Sequence, residues 1–91
     1  MKIVRTAQAG TLESSDISVT VYPGGDGVQI SLVSSVQNQF GDSICALLRE
    51  VADELGVTDA EIEAVDHGAL ACTIRARLET ALKRAAKEEQ A

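Results

Sequence analysis

Apolar and polar positions alternate from residue 17 onward. Ile17, Val19 and Val21 fall on one parity and Ser18, Thr20 and Tyr22 on the other. A period of two marks a half-buried strand. Pro23-Gly24-Gly25-Asp26-Gly27 interrupts the pattern, since glycine tolerates positive φ and proline presets a turn. Alternation resumes at Val28, Ile30 and Leu32, so the two strands around this turn are predicted to form a hairpin. A weaker stretch over about residues 6–13 is predicted to pair with them as an edge.

The rhythm then changes. Ile44, Leu47, Leu48, Val51 and Leu55 recur at the spacing of one helix face. Asp42 or Ser43 is placed to cap the start of this helix and Gly56 to end it. Residues 58–66 carry two signals. Thr58 and Glu61 have capping-box spacing, while Ala60, Ile62 and Ala64 alternate with Asp59, Glu61 and Glu63. The alternation is taken as the stronger, giving a strand. Asp66-His67-Gly68 reads as a turn. Leu70, Ile74, Leu78 and Leu82 then predict a final helix. The order β-β-β-α-β-α implies an α+β fold, a small, mainly antiparallel sheet covered on one face by two helices. Residues 1–91 are expected to form one domain, with 87–91 as a frayed tail.

Composition narrows the function classes. The chain has 91 residues, 8 Lys+Arg against 14 Asp+Glu, and a net charge of −6. A domain this short has a thin core, which argues against an enzyme with its own deep pocket and fits a subunit, carrier or binding module. Aromatics are limited to Tyr22 and Phe40, and an acidic chain repels phosphate backbones, so nucleic acid is excluded as a partner. No apolar run approaches the roughly 20 residues of a membrane span, and residues 1–6 lack an apolar leader, so a cytoplasmic location is expected. Cys45 and Cys72 read as reduced, buried small hydrophobes, and His67, the only histidine, leaves no zinc ligand set. Between residues 42 and 66 stand Asp42, Glu50, Asp53, Glu54, Asp59, Glu61, Glu63 and Asp66 against Arg49. The last helix is instead basic, with Arg75, Arg77, Lys83, Arg84 and Lys87. Two solvated helix faces account for this; a docking molecule with one acidic and one basic side is the sharper alternative.

No nucleophile and base are paired in the pattern, so no catalytic residue is assigned. The glycines of residues 24–27 lack the spacing and lysine of a phosphate loop. Two serines compete as attachment points for a prosthetic group. Ser14 lies in the polar segment Gly10-Thr11-Leu12-Glu13-Ser14-Ser15-Asp16, between two strand-like stretches. An exposed hydroxyl there suits an enzyme that makes a phosphodiester, though from spacing alone a plain Ser-Ser-Asp turn is the stronger explanation. Ser43, in Asp42-Ser43-Ile44, looks like the Asp-Ser-Leu of ordinary phosphopantetheine carriers. A phosphate there would gain from a helix N-terminus, but those carriers are helical throughout and this chain opens with strands.

Four stretches, in order, resemble the acyl carrier (gamma) subunit family of citrate lyase. They are Ala9-Gly10-Thr11-Leu12-Glu13-Ser14 with Asp16; Ser34-Ser35-Val36 with Gln39-Phe40-Gly41-Asp42; Asp66, Gly68-Ala69-Leu70 and Cys72; and Arg75-Ala76-Arg77-Leu78-Glu79. The resemblance spans nearly the whole chain. It implies a non-catalytic subunit whose Ser14 bears phosphoribosyl-dephospho-coenzyme A through a phosphodiester, derived from 2'-(5''-triphosphoribosyl)-3'-dephospho-coenzyme A. The thiol of that arm would carry acetyl and citryl groups. The implied partners are the alpha subunit, a citrate:acyl carrier transferase, and the beta subunit, a citryl lyase that releases oxaloacetate. Holo-citrate lyase synthase would attach the group and citrate lyase ligase would acetylate it. Where the family commonly has glycine after the modified serine, this chain has Ser15.

Three rivals stand beside this reading. The acyl carrier subunit of malonate decarboxylase resembles the chain around Ser14. A phosphopantetheine carrier would use Ser43. A small α+β interaction module would carry no covalent group at all.

Overall fold

The computed structural model describes residues 1–35 and 37–86. Six elements follow one another: β1 (Ala7–Ala9), β2 (Ile17–Pro23), β3 (Val28–Ser34), α1 (Gln37–Glu54), β4 (Ala60–Asp66) and α2 (Ala71–Ala85). The predicted order and class are the ones observed, and residues 58–66 do supply a strand. Val36 and the tail over 87–91 lie outside the described residues.

The strands line up as β1-β2-β4-β3. β2 runs antiparallel to β1 and to β4, while β3 runs parallel to β4. Register explains the core. Across the sheet, Val19 pairs with Ala64 and Ala64 with Leu32, and Val21 pairs with Ile62 and Ile62 with Ile30. These residues share the face covered by the helices; α1 packs on β3, α2 on β1 and β2, and the helices on each other. Ile17, Val19, Val21, Leu48, Ile62, Leu78 and Leu82 are fully buried. Each contributes about 1.5–3 kcal/mol relative to exposure.

The predicted β2–β3 hairpin does not form, because β4 lies between its arms. Alternation tells which face a residue takes but not which strand lies beside it. Ala60, Ile62 and Ala64 are buried, with Ala60 completely so, which favours a central position for β4. Two strand spacings separate the arms by about 10 Å, a gap that residues 24–27 span. Gly27 O accepts the Ala60 amide (3.1 Å), and Asp59 Oδ1 accepts the Gly27 amide (3.0 Å). The connection is thus fastened across the start of β4.

α1 begins at Gln37, so Asp42 and Ser43 lie inside it and cap nothing. The polar first turn shows no apolar periodicity, which is why the pattern placed the start too late. Its end is where Gly56 predicts. The Gly56 amide (φ +73°) donates to Asp53 O at 3.0 Å and the Val57 amide to Ala52 O at 2.9 Å. Those two bonds make a Schellman cap.

α2 buries Ile74, Leu78, Ala81, Leu82 and Ala85. Leu70, expected on that stripe, is instead the N-cap and is 69% exposed. Cys72, expected in the core, is exposed and Cys45 is half-buried; both are free thiols. Two residues turn a helix by about 200°, so Cys72 lies on the far side from Ile74. Among the described residues no helix is long and apolar enough to cross a membrane.

The acidic and basic segments partly neutralise each other. Arg75 Nη1 lies 2.7 Å from Glu54 Oε1 and 3.9 Å from Glu79, and its Nη2 lies 3.8 Å from Glu50. Arg84 Nη1 donates to Gln8 O (2.9 Å) and Arg5 to the carbonyls of Arg84 and Ala86 (both 2.9 Å). Arg75 is therefore already engaged within the chain. The exposed pairs contribute little to stability.

Candidate functional site

Ser14 sits on a turn at the end of the β2–β4 ladder. After β1, Gly10 takes φ +92° and brings the chain back toward β2. The Asp16 amide donates to Glu13 O at 3.2 Å, closing a four-residue turn with Ser14 and Ser15 at its centre. Ser15 has φ +65° and is the only described non-glycine residue in the left-handed region. Positive φ at the third position of a turn is the type II signature, and glycine is its ordinary occupant. Glycine would take that angle without strain, whereas Ser15 holds it against its side chain.

The turn is fixed from both sides. The Ser15 amide donates to His67 O (2.8 Å) and the His67 amide to Asp16 O (2.9 Å). This adds one more rung beyond the Ile17–Asp66 pair. His67 thus serves the site through its backbone.

Asp16, only 8% exposed, is the centre of a side-chain network. Its Oδ1 accepts from Arg77 Nε (3.0 Å) and the Ile17 amide (2.7 Å). Its Oδ2 accepts from Arg77 Nη2 (3.0 Å), Thr11 Oγ1 (2.7 Å) and the Thr11 amide (3.2 Å). The fork geometry joins α2 to the turn with a charge-assisted bidentate bond. A second buried carboxylate, Asp66 at 1% exposure, holds the neighbouring loop. It accepts from Ser34 Oγ (2.8 Å) and from the amides of Gly68 (3.1 Å) and Ala69 (3.0 Å). The Ser35 amide donates to Asp66 O at 3.1 Å. Sequence stretches far apart in the chain therefore converge behind one turn.

Ser14 itself is exposed and its hydroxyl is bonded to no described residue. Ser43 is also exposed, on the second turn of α1. It lines an apolar groove of about 370 Å³ with Phe40, Ile44, Leu47, Leu70 and Ile74. The helix N-terminus that would have favoured a phosphate on Ser43 lies a full turn and more away. Among the described residues no three His, Cys, Asp or Glu side chains gather as a metal site would need.

The supporting network is what the sequence reading missed. Asp66 had a signal, because it shares the buried parity of Ala60, Ile62 and Ala64. The Asp16–Arg77 pair had none beyond its membership of two motifs.

Residues 4–85 match the acyl carrier family described as the malonate decarboxylase delta subunit. Among curated proteins, the citrate lyase acyl carrier protein of Streptococcus mutans is 53% identical over 90 residues, covering 98% of this chain and 88% of that protein. The Oenococcus oeni protein of the same name is 46% identical over 89 residues, covering 98% and 92%. The chain belongs to the citrate lyase acyl carrier protein family. The fold of this family member is shared with a solved chain from a Pseudomonas malonate decarboxylase hetero-tetramer in complex with malonate. That likeness has a TM-score of 0.76 at 26% identity and covers 94% of this chain and 93% of the other.

Two outcomes follow for this acyl carrier family member. Ser15→Gly removes a left-handed strain of about 1–2 kcal/mol, offset in part by the greater freedom of glycine in the unfolded chain. A net gain of about 0.5–1 kcal/mol is expected, read as a Tm higher by several degrees. The second concerns acid. The Arg77 guanidinium, aided by Thr11 and the Ile17 amide, holds the Asp16 carboxyl well below the usual carboxylate range. A depressed carboxylate stabilises the fold fully above its unfolded value of about 3.9 and loses that contribution as pH falls toward the folded value. Arg77→Met is therefore expected to move the acid-unfolding midpoint to higher pH, followed by circular dichroism from pH 6 downward to about 2.

Proposed function

We propose that this chain is the acyl carrier subunit of a citrate lyase and that Ser14 is its attachment point for phosphoribosyl-dephospho-coenzyme A. The observation that carries the reading is the turn itself: an exposed hydroxyl, bonded to no described residue, on a backbone fixed by two loop-to-loop hydrogen bonds. The 46–53% identity to named citrate lyase carriers supports it.

The residues fit such a group. Ser14 projects from the end of the sheet and no described side chain covers it. Asp16 beside it is balanced by Arg77, so a phosphodiester at Ser14 does not face an uncompensated carboxylate there. No described side chain is hydrogen-bonded to the Ser14 hydroxyl as a base, which suits a carrier loaded by a separate synthase and acylated by a separate ligase. When bound, the group supplies a thiol on a long flexible arm, which holds the acyl group while the alpha transferase and beta lyase subunits act. The chain's part is to anchor that arm, which raises its local concentration at both partner sites. Citrate would leave as oxaloacetate and acetate, in the cytoplasm.

A carrier subunit of malonate decarboxylase is the second reading, favoured by the family description and the 26% identical structure. Peptide-mapped mass spectrometry on protein from its native cells tests both. The expected result is a phosphoribosyl-dephospho-coenzyme A adduct on the Ser14 peptide, with citrate lyase subunits co-purifying. Co-purifying malonate decarboxylase subunits would decide for the second reading. A phosphopantetheine adduct on the Ser43 peptide, or no adduct during growth on citrate, would overturn both.

A further inference from the structure

Two adjacent serines stand on the turn, and both are exposed. As primary alcohols Ser14 and Ser15 are chemically equivalent, so their backbone must distinguish them. Ser15 is held at φ +65° while Ser14 is not in the left-handed region. A non-glycine residue stays there only when its surroundings over-determine it. Here they do. The Ser15 amide is tied to His67 O. The next residue, Asp16, is fixed by Arg77, Thr11, the Ile17 amide, and backbone bonds to Glu13 and His67.

We propose that Asp16, Arg77 and Thr11 are positioning residues that lock Ser15 in the left-handed conformation and so direct prosthetic-group transfer to Ser14 rather than to the neighbouring Ser15 hydroxyl. The inference rests on the reading of the chain as a carrier loaded near Ser14. In the transfer, Ser14 Oγ forms a bond to the phosphorus nearest the ribose of the triphosphoribosyl precursor. The bond from that phosphorus to pyrophosphate breaks, pyrophosphate leaves, and the hydroxyl proton passes to a base of the synthase. Only a hydroxyl held in line with the leaving group reacts well. With the network loosened, Ser15 relaxes to ordinary negative φ. Both hydroxyls are then re-aimed, and the choice between them is lost. Relatives with glycine after the serine would have no second hydroxyl to exclude, so this selection is a need of the Ser14-Ser15 pair.

The test uses the full chain in its unloaded form, with the synthase, the triphosphoribosyl precursor and a citrate lyase carrier of known loading in parallel. Loading rate and the share of adduct on each serine are read by mass spectrometry with fragmentation between the two residues. Arg77→Lys keeps the charge but loses the fork, and Thr11→Val is a milder second variant. Both are expected to load about tenfold more slowly, with adduct now found on Ser15. Adding Ser15→Gly to either is expected to restore the rate at Ser14, since glycine takes the left-handed conformation without strain. A general loss of stability would not move the Ser14 to Ser15 ratio, and the rescue is read well below the thermal transition of every variant, where the stability that Ser15→Gly adds does not change the folded fraction. Folded variants that load at the wild-type rate, or that slow without Ser15 adduct and without rescue, would overturn the proposal. If the wild-type chain takes no adduct while the parallel carrier loads, the carrier reading itself fails and the inference falls with it.

Discussion

Ser14→Ala is expected to abolish loading with phosphoribosyl-dephospho-coenzyme A, and with it all carrier activity in the assembled complex. Ser43→Ala is expected to load as the unchanged chain does. The first substitution removes the hydroxyl to which the loading is assigned. It removes nothing that the fold uses, because that hydroxyl is exposed and bonded to no described residue. Stability should therefore stay within about 0.5 kcal/mol, as at an ordinary surface position. A loss of loading with an unchanged thermal transition separates lost chemistry from lost structure. Ser43 lies inside α1, and its neighbours in the groove are apolar. Intact mass after incubation with synthase and precursor is the measurement. An adduct that survives Ser14→Ala and disappears with Ser43→Ala would reverse the assignment.

Gly10→Ala carries the largest expected structural cost. A methyl group at residue 10 would lie 1.8 Å from the Ile17 carbonyl oxygen, inside the van der Waals envelope of β2, and the residue sits at φ +92°. Ile17 belongs to the sheet and is fully buried, so it has little room to yield. The loop must instead lift, which pulls the Thr11 amide and hydroxyl away from Asp16. A clash with rigid backbone, a strained φ and lost bonds to a buried carboxylate together cost at least about 3 kcal/mol. A domain of this length has only about 5–10 kcal/mol in total. The expected result is a Tm lower by well over 10 °C, and loading that falls by more than the folded fraction, because the Thr11 bonds to Asp16 are lost as well. A melting curve matching the wild type would refute the packing described for Gly10.

The contrast between β2 and α1 shows what the sequence can disclose. Ile17, Val19 and Val21 have to share a face, and that face has to be covered; both statements need only a period of two. The place of β4 between β2 and β3 depends on how strongly each strand needs burial on both flanks, a comparison that no single segment contains. The start of α1 was hidden for a different reason, since its first turn is polar and carries no stripe. At the site, context and resemblance nominate Ser14, and the fold shows that residue exposed on its turn. The pair behind it joins residues on β2's threshold and mid-α2, and only the folded chain brings their charges together. Ser15 appeared as a departure from a familiar pattern. Its backbone angle turned that departure into a strained position with a reason.

The insertion of β4 between β2 and β3 also bears on how the molecule is made. The ribosome delivers β4 only after β1, β2, β3 and α1 have emerged. Until then β2 has only the three-residue β1 for a partner and β3 has none. β2 and β3 can therefore complete their pairing only once β4 is available to enter between them. Such non-local closure is slow relative to local hairpin zipping. It also exposes strand edges while it waits, which is the state in which small sheets aggregate. The geometry that gives Ser14 its rigid platform thus makes synthesis, rather than the finished fold, the vulnerable moment in the life of this carrier.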